Sequence, residues 1–184
     1  MSGKNYAAVI AELTAQLKTN PNDGELLIKR GNAYTHIDGG LNHAIEDFTR
    51  ALTLNPYDVV AYARRAHAYI LKGEDDKAET DYAEALNLSP LSAAGCFFDS
   101  GVTYFDIGKY DKAIANLNRS LESNPSNALA AMIYGYRGLA LRKIGQHDKA
   151  AEDFTEALRL NKLLAVKFFS DEELKSYRAQ CLDD

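Results

Sequence analysis

The chain has 184 residues, of which 46% are hydrophobic and 26% are charged, and its net charge is −5. This composition predicts a folded chain and excludes a long disordered tract. The acidic balance also disfavours a nucleic-acid partner, because proteins that bind phosphates gain affinity from an excess of lysine and arginine.

The first predicted element is a helix within residues 1–23. One apolar stripe recurs there at spacings of three and four residues, formed by Tyr6, Ile10, Leu13 and Leu17. Polar residues interrupt this stretch, so it does not resemble a secretory leader, and no run of about 20 apolar residues predicts a membrane span elsewhere. We therefore expect a cytoplasmic protein without a membrane partner, in which this helix caps the element that follows.

The prolines divide the rest of the chain into repeats. All four recur at intervals of 35, 34 and 35 residues, at Pro21, Pro56, Pro90 and Pro125. Proline cannot continue a helix and biases the residue before it away from helical geometry. The spacing therefore predicts one structural repeat of constant length after each proline.

Other residue types keep the same period inside each repeat. A small residue comes first and a tyrosine or leucine follows three positions later, as in Gly31 and Tyr34, Ala66 and Tyr69, Gly101 and Tyr104, and Gly138 and Leu141. A glycine turn comes next, followed by a second periodic series that begins at Ala44, Ala78, Ala113 and Ala150. Each repeat is thus predicted to be a helix, a turn and a second helix, with small residues where the two helices approach closely.

The pattern resembles the tetratricopeptide repeat. The resemblance rests on units such as Tyr62-x-x-Arg65-Ala66-x-x-Tyr69-x-x-x-Gly73, followed by Ala78-x-x-x-Tyr82-x-x-Ala85 and Pro90. It implies an all-α fold: a right-handed superhelical solenoid of antiparallel helix pairs with about ten helices. The expected organisation is a single domain with a capping helix in 1–23, four units at 24–58, 59–92, 94–127 and 131–164, and a capping helix in 165–184.

Some units depart from the pattern. The first has an extra glycine in its turn, and three residues, Ala128 to Ala130, are added before the fourth. In the fourth unit Leu141 replaces the tyrosine of the other three units. Beyond it, residues 170–173 form a capping box that predicts the final helix.

No group of residues predicts catalysis. The four histidines lie in different predicted helices or turns, and no two have the four-residue spacing that places two metal ligands on one helix face. The adjacent acidic residues Glu46-Asp47 and Glu152-Asp153 are interpreted as solvated surface. We therefore predict that the protein is not an enzyme and needs no cofactor or metal.

The resemblance implies that the first helices of the units line a concave face that binds peptides. The predicted lining is Ile28, Asn32, His36, Ala63, His67, Ile70, Leu71, Phe98, Val102, Phe105, Leu139, Arg142 and Lys143. Its middle is apolar, which is typical of an interface. Two interpretations remain open: an external protein or peptide binds there, or the face is covered by the protein's own apolar stretch in residues 163–169 or by a second copy in a homodimer.

One family function is not expected. Co-chaperones that resemble this architecture hold acidic chaperone tails with a carboxylate clamp of lysine, asparagine and arginine, and the corresponding residues here are Ile28, Asn32, Ala63, Gly95 and Asp99. Only the asparagine matches. The predicted function is a scaffold or adaptor for a protein or peptide partner, with a homo-oligomeric structural protein as the alternative. Arg142 and Lys143 are expected either to meet an acidic ligand group or to complement the end of their own helix.

Overall fold

The computed structural model of the protein describes residues 3–89 and 93–161. Within these ranges it contains no strand and nine helices: α1 (Gly3–Thr19), α2 (Gly24–Tyr34), α3 (Leu41–Leu54), α4 (Val59–Lys72), α5 (Asp75–Leu88), α6 (Ala93–Asp106), α7 (Tyr110–Glu122), α8 (Asn127–Lys143) and α9 (His147–Leu160). The all-α prediction is confirmed, and the helix count is close to the ten expected. The predicted final helix, the apolar stretch 163–169 and Pro90 lie outside the described residues.

The chain divides into two compact units, a first unit of Met1–Ser92 and a second unit of Ala93–Asp184. In the first unit α1 packs on α2, α2 on α3, α3 on α4 and α4 on α5, and α2 also contacts α4. In the second unit α6 packs on α7, α7 on α8 and α8 on α9, while α6 also contacts α8. Within each unit, helices that follow one another in sequence are therefore neighbours, and α2–α3, α4–α5, α6–α7 and α8–α9 form four hairpins.

Polar caps fix where several first helices begin. The side chains of Asp23, Asp58 and Ser126 accept hydrogen bonds from backbone amides in the first turns of α2, α4 and α8, respectively. These bonds satisfy amides that have no partner within the helix. In each case a proline lies one or two residues before the cap, so the proline and the cap together end one repeat and start the next.

The small residues of the repeat allow close helix packing, as predicted. A Cβ atom added to Gly31 would lie 2.6 Å from Cε1 of Phe48, and one added to Gly138 would lie 2.6 Å from Cε1 of Phe154. In the α6–α7 hairpin a Cβ at Gly101 would lie 2.6 Å from Cγ of Leu117. Real Cβ atoms do not approach this closely, so each glycine makes room for the large side chain of the partner helix.

Helix α1 packs against the first repeat, and the first helix of the fourth repeat is longer than its counterparts. Leu17 of α1 joins a buried cluster with Leu27 of α2 and Ala51, Leu52 and Ala61 of the following helices. Helix α1 therefore covers the apolar side of α2. Helix α8 has 17 residues where α4 and α6 have 14, so the three residues added before the fourth repeat lengthen this helix.

The prediction that the acidic pairs of the second helices are solvated is wrong for the aspartates. Asp47 and Asp153 are each 5% exposed and Asp81 is 3% exposed, while Glu46 and Glu152 are exposed as expected. Each buried carboxylate accepts two hydrogen bonds from one guanidinium, in the pairs Arg30–Asp47, Arg65–Asp81 and Arg137–Asp153, over distances of 2.5 to 2.8 Å. Burial is tolerated because the charge is paired in this two-pronged geometry.

Each of these arginines also reaches the helix before its own hairpin. The Nη1 atom of Arg30 donates a hydrogen bond to Thr14 Oγ1, that of Arg65 donates to Thr49 Oγ1, and that of Arg137 donates to Asn118 Oδ1. The hydrogen bonds to Asp153 raise the pKa of Arg137 against the opposing effect of its burial. The arginine thus joins three helices and stays charged.

Candidate binding surface on the first helices

In the second unit, α6 presents three predicted binding residues on one face. Phe98, Val102 and Phe105 follow one another at spacings of four and three residues, which places them on one side of the helix. All three are half-buried. The surface is therefore apolar and still accessible.

Helix α8 contributes a ring that sequence reasoning missed. Tyr136 packs edge-on against Phe98, with ring centroids 5.7 Å apart, and against Phe105, with centroids 5.9 Å apart. Edge-to-face contacts of this kind stabilise aromatic clusters. Burial, with the nearby negative charge of Asp106, raises the pKa of Tyr136 and keeps it neutral. The available signal was its spacing of three residues from Leu139, which places both on one face of α8.

The remaining predicted residues of α8 lie toward its end. Leu139 is half-buried and packs on the cluster of Leu141, Ala150 and Phe154. The guanidinium of Arg142 lies 5.8 Å from the centroid of the Phe154 ring. Arg142 and the exposed Lys143 are both in the last turn of α8, where positive charge complements the helix dipole. A ligand carboxylate near these two residues stays a prediction.

In the first unit, helix α1 contacts the start of the predicted surface. His36 is exposed, but its ring stacks on Tyr6 of α1 with centroids 4.5 Å apart. Ile28 and Asn32 are half-buried, and Ile28 packs against two buried clusters of this unit. The α2 face is thus partly occupied by the protein itself.

One residue of the predicted surface belongs to the core. Ile70 is 1% exposed, whereas Ala63, His67 and Leu71 of the same helix are half-buried. Helix α4 packs against α2, α3 and α5, so little of its circumference faces outward. In the described structure Ile70 therefore presents no surface to a ligand.

His67 is the titratable group in the α4 part of the predicted surface. Burial lowers its pKa below the usual 6.5, and the positive charges of Arg64 and His36 act in the same direction. The imidazole is therefore neutral at pH 7.

The polarity of one repeat position differs between the two units. The residue directly after the small residue of each first helix is Asn32, His67, Val102 and Leu139 in chain order. The first unit thus carries an amide and an imidazole at this position, and the second unit carries two aliphatic side chains. The apolar, aromatic part of the predicted surface belongs to α6 and α8.

Other kinds of site are not found in the part of the chain that the structure describes. Residues 3–89 and 93–161 contain no group of three histidine, cysteine, aspartate or glutamate side chains that could hold a metal ion. Among the same residues, no helix is both long enough and apolar enough to cross a bilayer.

Comparison with known proteins identifies the repeat. Two family models described as tetratricopeptide repeat match the chain, one over residues 59–90 and the other over residues 97–162. Together they cover more than half of the 184 residues. The chain belongs to the tetratricopeptide repeat family. The first match lies in the α4–α5 hairpin, and the second contains most of α6 and all of α7 to α9.

Several tetratricopeptide repeat proteins resemble this chain. BBSome complex member BBS4 from Bos taurus is 30% identical over 133 residues, which are 72% of this chain and 25% of BBS4. Hsp70-Hsp90 organizing protein 2 from Arabidopsis thaliana is 28% identical over 116 residues, 63% of this chain and 20% of that protein. The crystal structure of MamA is similar with a TM-score of 0.63 at 27% identity, covering 88% of this chain and 92% of MamA. The chain thus spans a quarter or less of the two curated relatives.

Proposed function

We propose that the protein is a non-catalytic interaction scaffold that binds a polypeptide segment of a partner on the α6–α8 surface. The observation that carries this proposal is the cluster of Phe98, Phe105 and Tyr136, in which both phenylalanine rings pack on Tyr136 and all three rings remain partly accessible. Accessible aromatic clusters favour binding, because a ligand that covers them removes apolar surface from water.

The relatives support a role in protein assemblies. BBS4 is described as a member of the BBSome complex, and the plant relative is described as an organizing protein for Hsp70 and Hsp90. For this chain the partner is proposed from chemistry alone. Asp99, exposed on α6, gives negative charge where the clamp of co-chaperones requires a positive one. An apolar segment therefore fits this surface better than an acidic chaperone tail.

The aromatic side chains are expected to supply most of the affinity. A buried aromatic anchor contributes about 2 kcal/mol or more, whereas an exposed ion pair contributes about 0–1 kcal/mol. Arg142 and Lys143 would then orient the segment by attracting an acidic group or its C-terminal carboxylate, and they would mainly raise the association rate.

The experiment starts from a ligand selected against the whole chain from a random-peptide display library. Phe98→Ala and Phe105→Ala are expected to weaken binding at least about tenfold, as the loss of an aromatic anchor does. The matched control is Tyr57→Ala, which removes a ring that is 77% exposed before α4 and outside the proposed surface. Arg142→Glu with Lys143→Glu should slow association in low salt and change dissociation little.

Two results would contradict the proposal. If all these variants bind the selected peptides equally well, the ligand uses another surface. If light scattering over a concentration series reveals a dimer that dissociates when Phe98 and Phe105 are changed to serine, the surface is a self-interface, and the homo-oligomeric alternative is favoured.

A further inference from the structure

The second unit contains a cleft of about 350 Å³ that is lined by Leu141 of α8 and by residues of the neighbouring helices. Residues of α7, α8, α9 and the turn between α8 and α9 line it, with Ile114, Leu141 and Ile144 as its apolar part and Lys149 at its edge. None of the thirteen residues of the predicted first-helix surface lines this cleft. The cleft is therefore separate from the surface that is proposed above to bind a partner segment.

The repeat explains why space is left here. In each of the first three hairpins a tyrosine of the first helix packs against a basic or imidazole side chain of the second helix. The contacting pairs are Tyr34 with His43 at 5.0 Å, Tyr69 with Lys77 at 5.5 Å and Tyr104 with Lys112 at 5.7 Å. The fourth hairpin has Leu141 and Lys149 at the same two positions. This hairpin therefore has the lysine but lacks the tyrosine ring.

The surroundings of Lys149 fit an aromatic guest. Among residues 3–89 and 93–161, this lysine has neither a ring contact nor an ion pair, and its side chain is exposed. Leu141, 7% exposed, is shorter than the tyrosine it replaces and forms an apolar base for the cleft. Among the polar residues of the lining, Arg137 is already bound to Asp153 and Asn118. An apolar ring would cover this base without leaving a buried charge unpaired.

We propose that this cleft binds an aromatic side chain, best a tyrosine, from a partner polypeptide. The ring would lie on Leu141 between Ile114 and Ile144, with the ammonium group of Lys149 against its face, and would reproduce the tyrosine–lysine contact that the second and third hairpins make internally. The phenolic hydroxyl would remain at the open, polar edge of the cleft. Because the charged lining side chains comprise three carboxylates and two cations, phosphorylation of the tyrosine is expected to weaken binding.

The test uses the full chain and a capped Gly-Gly-Tyr-Gly-Gly peptide, with leucine and phosphotyrosine versions for comparison. Methyl resonances of Ile114, Leu141 and Ile144 are followed by NMR during titration. We expect saturable shifts with a dissociation constant on the order of 1–10 mM for the tyrosine peptide, as befits a single side chain. Binding of the other two peptides should be at least about fivefold weaker, because neither can place a neutral ring against the lysine.

Three variants connect the binding to this geometry. Leu141→Tyr supplies the ring from within the chain and should reduce peptide affinity about tenfold or more, while the fold is kept because tyrosine stands at this position in the other hairpins. Lys149→Ala should weaken binding about two- to fivefold, and Lys149→Arg should retain it. The matched control is Lys112→Ala, which removes the equivalent cation from a hairpin that has its own tyrosine.

The proposal is overturned if the leucine peptide binds as well as the tyrosine peptide, or if the phosphotyrosine peptide binds more tightly. It is also overturned if Leu141→Tyr binds the tyrosine peptide with unchanged affinity. If that variant does not fold, equal binding of the tyrosine peptide by Lys149→Ala and by the unmodified chain overturns the proposal instead. An absence of shifts with any peptide would mean that another part of this chain or a second copy fills the cleft, which again contradicts binding of a partner.

Discussion

The α6–α7 hairpin differs from the other three hairpins at the positions of the buried ion pair. Where they have an arginine and an aspartate, it has Ser100 and Asn116. The two helices nevertheless pack closely, with Gly101 against Leu117, and Ser120 donates a hydrogen bond of 2.6 Å to the carbonyl of Ala94. The ion pair is therefore not required to form a hairpin of this repeat.

The difference indicates what the pair does contribute. Its arginine bonds to a third residue in the preceding helix, which is Thr14, Thr49 or Asn118. The residue at the equivalent position of α5 is Ala83, whose side chain has no polar atom. The arginine, the aspartate and the polar third residue are therefore replaced together at Ser100, Asn116 and Ala83. This indicates that the arginine, the aspartate and the third residue act as one polar network that attaches a hairpin to the helix before it.

The largest effect is expected when one partner of a buried pair is removed. Asp153→Ala leaves the guanidinium of Arg137 partly buried and without its carboxylate, and should lower the free energy of unfolding by roughly 3 kcal/mol. Asn116→Ala changes the equivalent residue of the α6–α7 hairpin and should cost less than about 1 kcal/mol, since its side chain donates a hydrogen bond to the carbonyl of Lys112 in its own helix. Urea denaturation of both variants measures the difference.

The two sites lie in the same compact unit, so they are compared against one background. Similar losses for Asp153→Ala and Asn116→Ala would break the distinction between the hairpins. A further variant separates charge from packing: Arg137→Met with Asp153→Leu should be less destabilising than Asp153→Ala alone, because it leaves no unpaired charge.

The fold could be predicted from sequence to a large extent because its signals are local. Prolines, capping residues and small residues such as Gly31 and Gly138 act through the backbone or through one neighbouring helix, so their spacing alone indicates where helices begin and approach. The buried aspartates could not be recognised one at a time, since an acidic pair such as Glu152-Asp153 is usually solvated. The signal was the recurrence of an arginine 16 or 17 residues before each of them.

The candidate surface was predicted less completely. Helical spacing placed Phe98 and Phe105 on one face of α6, but it could not reveal that Tyr136 of another helix packs between them. It also assigned Ile70 to the surface because its repeat position matches that of Phe105. How much of a helix is covered depends on its neighbours, and α4 packs against three helices of the first unit. Tertiary contacts of this kind leave no local pattern.

The next largest effect is expected from building an ion pair where none exists. Ser100 is 1% exposed, so Ser100→Arg should destabilise the chain by roughly 2 kcal/mol through an unpaired charge. Adding Asn116→Asp, 16 residues later as in the α4–α5 and α8–α9 hairpins, should recover roughly 1.5 kcal/mol of this loss. A double-mutant cycle of unfolding free energies measures the coupling. Zero coupling would show that the α6–α7 hairpin differs from the others in more than these two residues.

A smaller effect is expected at the third position of the network. Arg65 Nη1 donates to Thr49 Oγ1 over 3.1 Å, and Thr49→Ala gives α3 the residue that α5 already has at Ala83. The loss of this exposed bond should cost about 1 kcal/mol relative to the control Thr53→Ala, whose hydroxyl donates to the carbonyl of Thr49 in its own helix. Comparing the two variants cancels the gain in helix propensity. Equal unfolding midpoints would mean that the bond contributes nothing to attachment.

The smallest effect concerns His67 of α4, which holds the repeat position of Val102 in α6. Burial, with the charges of Arg64 and His36, lowers the pKa of His67 in the folded state below the usual 6.5. Well above pH 6.5 neither the folded nor the unfolded chain protonates this group, so its contribution to stability is constant. As the pH falls below that value, the unfolded chain binds a proton that the folded chain does not, and stability is lost.

His67→Val gives α4 the side chain of α6 and should therefore flatten the dependence of unfolding free energy on pH between 7 and 5. His67→Gln tests the same point with a polar side chain that cannot titrate. Urea denaturation at pH 7, 6 and 5 gives the slope for each protein, and the difference between slopes removes the contribution of carboxylates that all three share. Identical slopes in all three would mean that His67 takes up its proton equally well in the folded chain, in conflict with the burial that lowers its pKa.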